Sequence, residues 1–380
     1  MQVVVVGGGY AGVSLLRRLE ENLPEPVELI VIDESGHHTI QHQLHRLLRY
    51  PELDIHLRIP LDELLTRTEI IEAAATKIDI DNRSVEIANN QQFNPDILVL
   101  CHGAITADHG IPGVNEYGQP FKRIAHAKTV RNEFDTIQDG GQVIIGGAGL
   151  SGIQVAGELA AGASKRDTEI DVILVEREST VAPTFEDQFS RTVREALQDY
   201  GVTILTERRL VKATSDQVEF DTHESLAHDQ FIWTGGITGP SVLDGNRPIA
   251  RADLQLAPGV FGAGDAVRVV DNTGASVPAS AQTAIREART VASNIEAIVS
   301  AEYHSASGMP PHVDRYEFST PGWVVSVGDD AVATVGGTVL RGNAAKLIKT
   351  GIGAGYLASI GRYRSSLIAI RKSVGWTEHV

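Results

Sequence analysis

The chain has 380 residues, too many for one ordinary core, and 42% hydrophobic against 22% charged residues marks a globular protein of two or three domains. Its formal net charge of −16 excludes nucleic acid as a partner, because phosphate binding needs a positive surface. Its only cysteine, Cys101, excludes an intramolecular disulfide, a CxxC redox pair and a cysteine-based zinc cluster. Only eight of the 33 basic residues are lysine, and this acidic, lysine-poor surface predicts a halophilic protein kept soluble where salt screens self-repulsion. No secretory signal is expected, and no uncharged apolar run reaches the roughly 18 residues of a membrane span.

The four valines Val3 to Val6 read as a strand buried on both faces. It breaks into Gly7-Gly8-Gly9-Tyr10-Ala11-Gly12 and then into a helical pattern through Val13, Leu15, Leu16 and Leu19. Gly7, Gly9 and Gly12 form GxGxxG between strand and helix, which suits a pyrophosphate resting on a helix N-terminus. A second strand, Val27 to Ile32, ends in Asp33, 21 residues past Gly12 and placed for a ribose hydroxyl.

His38, His42 and His45 then follow at i, i+4, i+7. That spacing converges three imidazoles on one helical face, but no local acid completes a ligand set. A polar helix beside a cofactor is expected, and no metal site. Leu61 to Leu65 reads as a short helix. Ile70–Ala75, Ala75–Ile80 and Ser84–Ile87 read as a small meander before the sheet resumes at Asp96 to Cys101. Cys101 is expected as a small core side chain. Ile111-Pro112-Gly113-Val114 is a turn, and Lys128 to Ile137 reads as a helix.

The opening pattern then returns. Strand Gln142 to Ile145 leads into Gly147-Ala148-Gly149-Leu150-Ser151-Gly152, a helix follows, and strand Ile170 to Val175 ends in Glu176, 24 residues past Gly152. Two such units in proper context are far more specific than one. Asp33 and Glu176 both favour a free ribose diol, so the second site reads as NAD(H) rather than NADP(H), although Arg177 beside Glu176 could hold a phosphate. Helix 187–199 and strands at 202–206, 209–213, 217–220 and 230–233 complete this unit. A strand at 259–263 runs into Gly264-Asp265, a long helix follows Pro278 to about Tyr303, and strands fill 322–340.

From 341 to 376 the chain changes in kind. Arg341, Lys346, Lys349, Arg362, Arg364, Arg371 and Lys372 alternate with Leu347, Ile348, Ile352, Tyr356, Leu357, Ile360, Tyr363, Leu367, Ile368, Ile370 and Trp376, with no acid between Asp330 and Glu378. This predicts a pair of helices lying in a membrane surface. The alternative is docking on the chain's own body or on a second copy in a homodimer.

Leu98-Val99-Leu100-Cys101-His102-Gly103-Ala104 resembles the LVLATGA turn of two-dinucleotide flavoproteins, with Cys101 and His102 in place of Ala and Thr. Ile111 to Val114, Phe121-Lys122, Gly152 to Leu159, Ile232-Trp233, Ala281-Gln282, Ser326 to Gly328 and Gly342 to Ala345 resemble type II NADH:quinone oxidoreductases, nearly end to end. The resemblance implies an α/β fold with two Rossmann-like dinucleotide-binding domains. FAD would be held by 1–110 with 245–310 and NADH by 111–244, while 311–380 would form a membrane-association or dimerisation region.

It also implies the site. Gly7, Gly9, Tyr10, Ala11, Gly12, Asp33, Glu34, His38, Cys101, His102, Gly103, Gly264, Asp265, Ala281 and Gln282 would serve FAD. Gly147, Gly149, Leu150, Ser151, Gly152, Glu176 and Gly235 would serve NADH. Hydride would pass from NADH to flavin N5, with the N-terminal amides of the helix from Ala281 facing the charge that develops at flavin N1. Two electrons would then pass to a membrane quinone near Gln282, without proton pumping, at the cytoplasmic face of the cell membrane in a respiratory chain. Three residues depart from the family pattern: Gln154 replaces a Glu near the nicotinamide, Arg286 replaces the last Gln of AQxAxQ, and His42 replaces a Pro. They leave open a soluble NADH-dependent flavoprotein reductase with another acceptor, or a non-catalytic FAD/NADH-sensing module.

Overall fold

The structure is a computed structural model describing residues 1–303 and 312–362. The chain divides into two compact units. The first comprises Met1–Ile40, Leu57–Ile105 and Thr238–Ser319, and the second Gln41–His56, Thr106–Ile237 and the chain from Thr320 onward.

A six-stranded sheet forms the first unit, in the order Gln255–Ala257, Val260–Gly262, Ile97–Leu100, Gln2–Val6, Glu28–Asp33, Glu69–Glu72. All neighbours are parallel except the first pair. Val3, Val4, Val5, Leu98, Val99 and Leu100 are fully buried, as continuous apolar strands covered on both faces require. Helices Tyr10–Asn22 and Ala281–Tyr303 pack on one another. From Gln2–Val6 the chain builds outward through Glu28–Asp33 to Glu69–Glu72, then returns to the opposite side at Ile97–Leu100. The strand order reverses there, and in open α/β sheets the carboxyl ends at such a point are where ligands bind.

Two expectations change in this unit. Glu69–Glu72 is not in the meander but joins the main sheet, with Ile30 opposite Glu69 and Ile32 opposite Ile71. Four residues with charged ends suit a short edge strand. The meander is Ala75–Asp79, Ser84–Ile87 and Gln92–Phe93. Leu61 to Leu65 yields only a 3-10 turn over Leu61–Glu63.

The second unit repeats the plan. Its five-stranded parallel sheet runs Gln119–Pro120, Gln230–Trp233, Gly141–Gly146, Ile170–Val175, Thr203–Leu205. An antiparallel meander, Leu210–Ala213, Gln217–Phe220 and Ser225–Ala227, again precedes the strand that crosses back. Helices Leu150–Lys165 and Asp187–Asp199 belong to this unit, and the expected helix after the Pro/Gly turn runs Ile124–Phe134.

Three antiparallel strands, Gly322–Val327, Asp330–Val335 and Thr338–Arg341, complete the unit with helix Asn343–Ser359. Gly157 permits the close approach of helix Leu150–Lys165, since a Cβ there would lie 2.6 Å from the Gly328 nitrogen. Helix Asn343–Ser359 docks on these strands: Ala345 is buried with Ala331 and Ala333, and Ile348 packs beside them. Leu347 and Ile352 remain 56% and 55% exposed. The helix is therefore anchored in its own unit by one face, with these apolar side chains left exposed. The other half of the expected helix pair, with Tyr363, Arg364, Leu367, Ile368, Ile370, Arg371, Lys372 and Trp376, lies outside the described residues. Among those described, no helix is long and apolar enough to cross a membrane.

Candidate functional sites

In the first unit the Gly7–Gly12 loop leaves the end of Gln2–Val6 at the sheet's switch point. Gly7 has φ +104°, and a Cβ there would lie 2.4 Å from the Cys101 carbonyl oxygen, so only glycine fits beside the neighbouring strand. A Cβ on Gly12 would lie 1.9 Å from the Gly7 carbonyl oxygen, so helix Tyr10–Asn22 starts in direct contact with the loop. At Gly9 a Cβ would meet nothing within 4 Å. Gly9 caps the helix in extended conformation with no side-chain hydrogen bond, leaving its first N–H groups for a ligand. An open cradle of backbone donors at a helix N-terminus fits a dinucleotide pyrophosphate.

Asp33 ends the second strand, and its Oδ2 accepts the Gly8 N–H at 2.8 Å while Oδ1 accepts the Ser35 N–H and hydroxyl. Glu34 is exposed beside it. His38 is fully buried on strand His37–Thr39, with Nδ1 3.0 Å from the Gly8 carbonyl oxygen and its ring edge-on to Tyr10 at 5.1 Å. Burial pushes its pKa down to about 4, against the opposing pulls of the Gly8 carbonyl and Asp33. A neutral ring thus donates to the loop. His42 and His45 lie on the separate 3-10 helix Gln41–Leu48, so the three histidines share no helical face.

Cys101 is buried, which pushes its thiol well above the usual range, with Glu287 adding to the shift. His102 follows with neither ring nitrogen in a hydrogen bond of acceptable geometry, and burial pushes its pKa down to about 4. An orphaned neutral imidazole beside the Gly7 loop, with Gly103 open next to it at φ +75°, is a contact awaiting a partner. Gly264 and Asp265 form a 3-10 turn after strand Val260–Gly262. Ala281 and Gln282 open helix Ala281–Tyr303, half-buried in its first turn. Arg286 lies one turn on, its guanidinium donating to the Ser319 carbonyl.

The second unit reproduces the loop in detail. Gly147 has φ +96°, a Cβ on Gly152 would again lie 1.9 Å from a carbonyl oxygen, that of Gly147, and Gly149 is open. Gly149 caps helix Leu150–Lys165 with no side-chain bond, and Leu150 and Ser151 form the helix's first turn. Glu176 Oε2 accepts the Ala148 N–H at 2.7 Å and Oε1 the Glu178 N–H at 3.0 Å. Thr234 was not singled out by the sequence, yet its hydroxyl lies 2.9 Å from both the Gly146 and Gly147 carbonyls. A Cβ on Gly235 would lie 2.2 Å from the Trp233 ring, whose Nε1 donates to the Ala107 carbonyl at 2.6 Å. These residues likewise fit a dinucleotide. Gln154 is half-buried on helix Leu150–Lys165, in the other unit from Gln282 and Arg286.

Sequence reasoning also missed two buried acids. Glu287 accepts the Gly264 N–H at 2.7 Å and is 2% exposed. Glu158, equally buried, pairs with Arg49, which also binds Asp329 at 2.9 Å. Both sit on buried helical stripes, Glu287 one turn from Thr283 and Val291, Glu158 beside Val155 and Leu159. An acid on an apolar stripe is the signal that marks them.

The model of the family described as pyridine nucleotide-disulphide oxidoreductase matches residues 1–288. The chain is 25% identical over 356 residues to the NADH dehydrogenase-like protein YutJ of Bacillus subtilis, covering 92% of this chain and 97% of that one. It is 23% identical to a type II NADH:quinone oxidoreductase of Staphylococcus aureus, covering 92% and 93%. Among solved structures, that of NDH2 from Plasmodium falciparum in complex with NADH superposes over 98% of both chains with a TM-score of 0.80 at 14% identity.

Proposed function

The chain belongs to the pyridine nucleotide-disulphide oxidoreductase family, and on that premise we propose that it is an FAD-dependent NADH:quinone oxidoreductase that pumps no protons. The observation that carries this reading is the duplicated cradle, two glycine loops each closed by a pinned carboxylate, beside relatives named for this activity. The single cysteine is buried, so no redox disulfide stands between flavin and acceptor. Bound FAD supplies the redox chemistry, accepting hydride from NADH and passing two electrons to quinone.

The chain's own residues bind and orient. The loop Gly7–Gly12 receives the FAD pyrophosphate and Asp33 its ribose, while neutral His38 stiffens the loop through Gly8 and His102 supplies a further contact. Gly147–Gly152 and Glu176 receive NADH in the same way, with Thr234 locking the loop carbonyls. Gln282, in the first turn of its helix, is our assignment for the quinone side. The exposed Leu347 and Ile352 beside Lys346 support peripheral membrane attachment through 341–376; the cytoplasmic face is our assignment. The lysine-poor acidic surface supports a high-salt environment, in which case folding is lost in low-salt buffer.

Anaerobic addition of NADH to the FAD-loaded protein bleaches the flavin band, and a short-chain quinone restores it. Bleaching without restoration by quinone identifies a reductase with another acceptor, and no bleaching a sensor. Co-sedimentation with anionic liposomes, lost on deleting 341–380, tests attachment; a shift in mass alone on that deletion identifies the segment as a dimer contact.

A further inference from the structure

We propose that Glu287 is a positioning residue that holds the Gly264–Asp265 turn in its flavin-binding form and takes up a proton when the flavin is reduced. The proposal rests on the assignment of FAD to the first unit.

Gly264 is wedged at φ +69°, where a Cβ would lie 3.1 Å from the Ala284 Cβ and 3.4 Å from the Ala11 Cβ. Both flanking helices therefore fix the turn, and its first N–H, that of Gly264, donates to Glu287 Oε2 at 2.7 Å. Arg247 also grips the turn, donating Nε to the Asp265 carbonyl at 2.6 Å and Nη2 to the Val267 carbonyl at 2.7 Å. The turn is thus clamped between one buried acid and one arginine, neither of which the family pattern singled out.

The groups that face Glu287 are few. Asp265 and Arg247 belong to the turn and its clamp, Cys101 to the end of the central strand, and Tyr316 to the segment after the long helix. Helix Tyr10–Asn22 presents Ala11 to the turn. Glu287 makes no ion pair among the described residues. Burial, helped by Asp265, pushes its carboxyl up to about 8, against the pulls of the Gly264 N–H and Arg247. Near neutral pH it is a neutral acid accepting one backbone bond.

Reduction places negative charge on the flavin, which disfavours a carboxylate close to the same turn. Above pH 8 the ionised Glu287 then binds a proton as the flavin is reduced. The balance is complete: NADH supplies the hydride, and solvent supplies the proton for the one O–H bond formed.

The test uses FAD-loaded full-length protein, with the flavin midpoint potential followed by absorbance from pH 6 to 10. In the wild type the equilibrium constant for reduction falls an additional tenfold per pH unit above about pH 8, about 30 mV for a two-electron couple. Glu287→Gln keeps an acceptor for the Gly264 N–H, so it retains FAD as the wild type does and loses the inflection. Glu287→Ala loses the acceptor and binds FAD about tenfold more weakly. An E287Q profile identical to the wild type, or E287A affinity unchanged, overturns the proposal. Should the variants fail to fold, proton uptake on reduction of the wild type, read with an indicator dye, must be larger at pH 9 than at pH 7.5; equal uptake overturns it too. A wild-type chain that binds no FAD defeats the flavin assignment and this proposal together, whereas a loaded chain without the inflection defeats the role of Glu287 alone.

Discussion

Asp33 and Gly8 are joined by a 2.8 Å hydrogen bond from the loop's central backbone N–H to the carboxylate, and Glu176 and Ala148 repeat it at 2.7 Å. In each unit the acid at the end of the second strand is tied to the phosphate loop. Loop and acid are therefore preorganised as one element, which would lower the ordering cost of binding on the proposed assignment.

Glu176 has both oxygens engaged by backbone donors, and on the proposed assignment a 2′-phosphate would meet its charge. Glu176→Gln keeps an acceptor for Ala148 and removes the charge, leaving Arg177 to attract the phosphate. The ratio of kcat/KM for NADH over NADPH then falls about tenfold, ~1.4 kcal/mol. Initial rates with both nucleotides check this, and an unchanged ratio would show that Glu176 does not set the preference.

Arg49 and Glu158 form a buried pair, with side chains 5% and 2% exposed. Burial pushes the Glu158 carboxyl up, and Arg49 pulls it back. Arg49→Met removes the ion-pair partner of that carboxylate, leaving buried His45 at 4.0 Å, and costs about 3–5 kcal/mol at neutral pH. The loss shrinks as the pH is lowered to 5, because burial raises the Glu158 carboxyl and favours its protonated form. Urea unfolding at the two pH values reads both effects, and a pH-independent loss would place the cost in packing alone.

Lys349 reaches from helix Asn343–Ser359 to His45 Nε2 at 3.2 Å and to the Ser326 hydroxyl. Burial pushes its pKa down to about 7, with Arg46 adding to the shift and Glu158 opposing it. Between pH 7 and the unperturbed value of 10.5 the unfolded chain holds a proton that the folded one lacks. Stability contributed by this site therefore rises with pH across that window. Lys349→Met removes the rise, and parallel stability curves for both proteins from pH 7 to 10 would refute it.

Legibility in the sequence followed the local character of each signal. Both glycine loops, Asp33, Glu176 and the strands around them were readable because each is a run of contiguous residues with one conformational demand. Glu69–Glu72 was misplaced because two apolar residues between acids carry no mark of their partner strand, which here is set by parallel pairing across 39 residues of sequence, from Ile30 to Glu69. The stretch with His38, His42 and His45 reads as one polar helix beside a cofactor, yet from Gln41 to His56 the chain belongs to the second unit. Its anchors, Arg49 to Glu158 and Lys128 to Asp54, join residues far apart in the chain. Thr234 and Glu287 act on backbone carbonyl and N–H groups, whose positions only the fold supplies.

The division of labour between the two loops is tested most directly by Gly12→Ala and Gly152→Ala, since each new Cβ would fall 1.9 Å from a loop carbonyl that cannot yield without moving the helix. Flavin absorbance of the purified proteins, before and after NADH, is the measurement. G12A is expected to lose FAD, whereas G152A keeps a full complement that dithionite bleaches and NADH does not. A G152A protein stripped of flavin, or a G12A protein that retains it, would contradict the account.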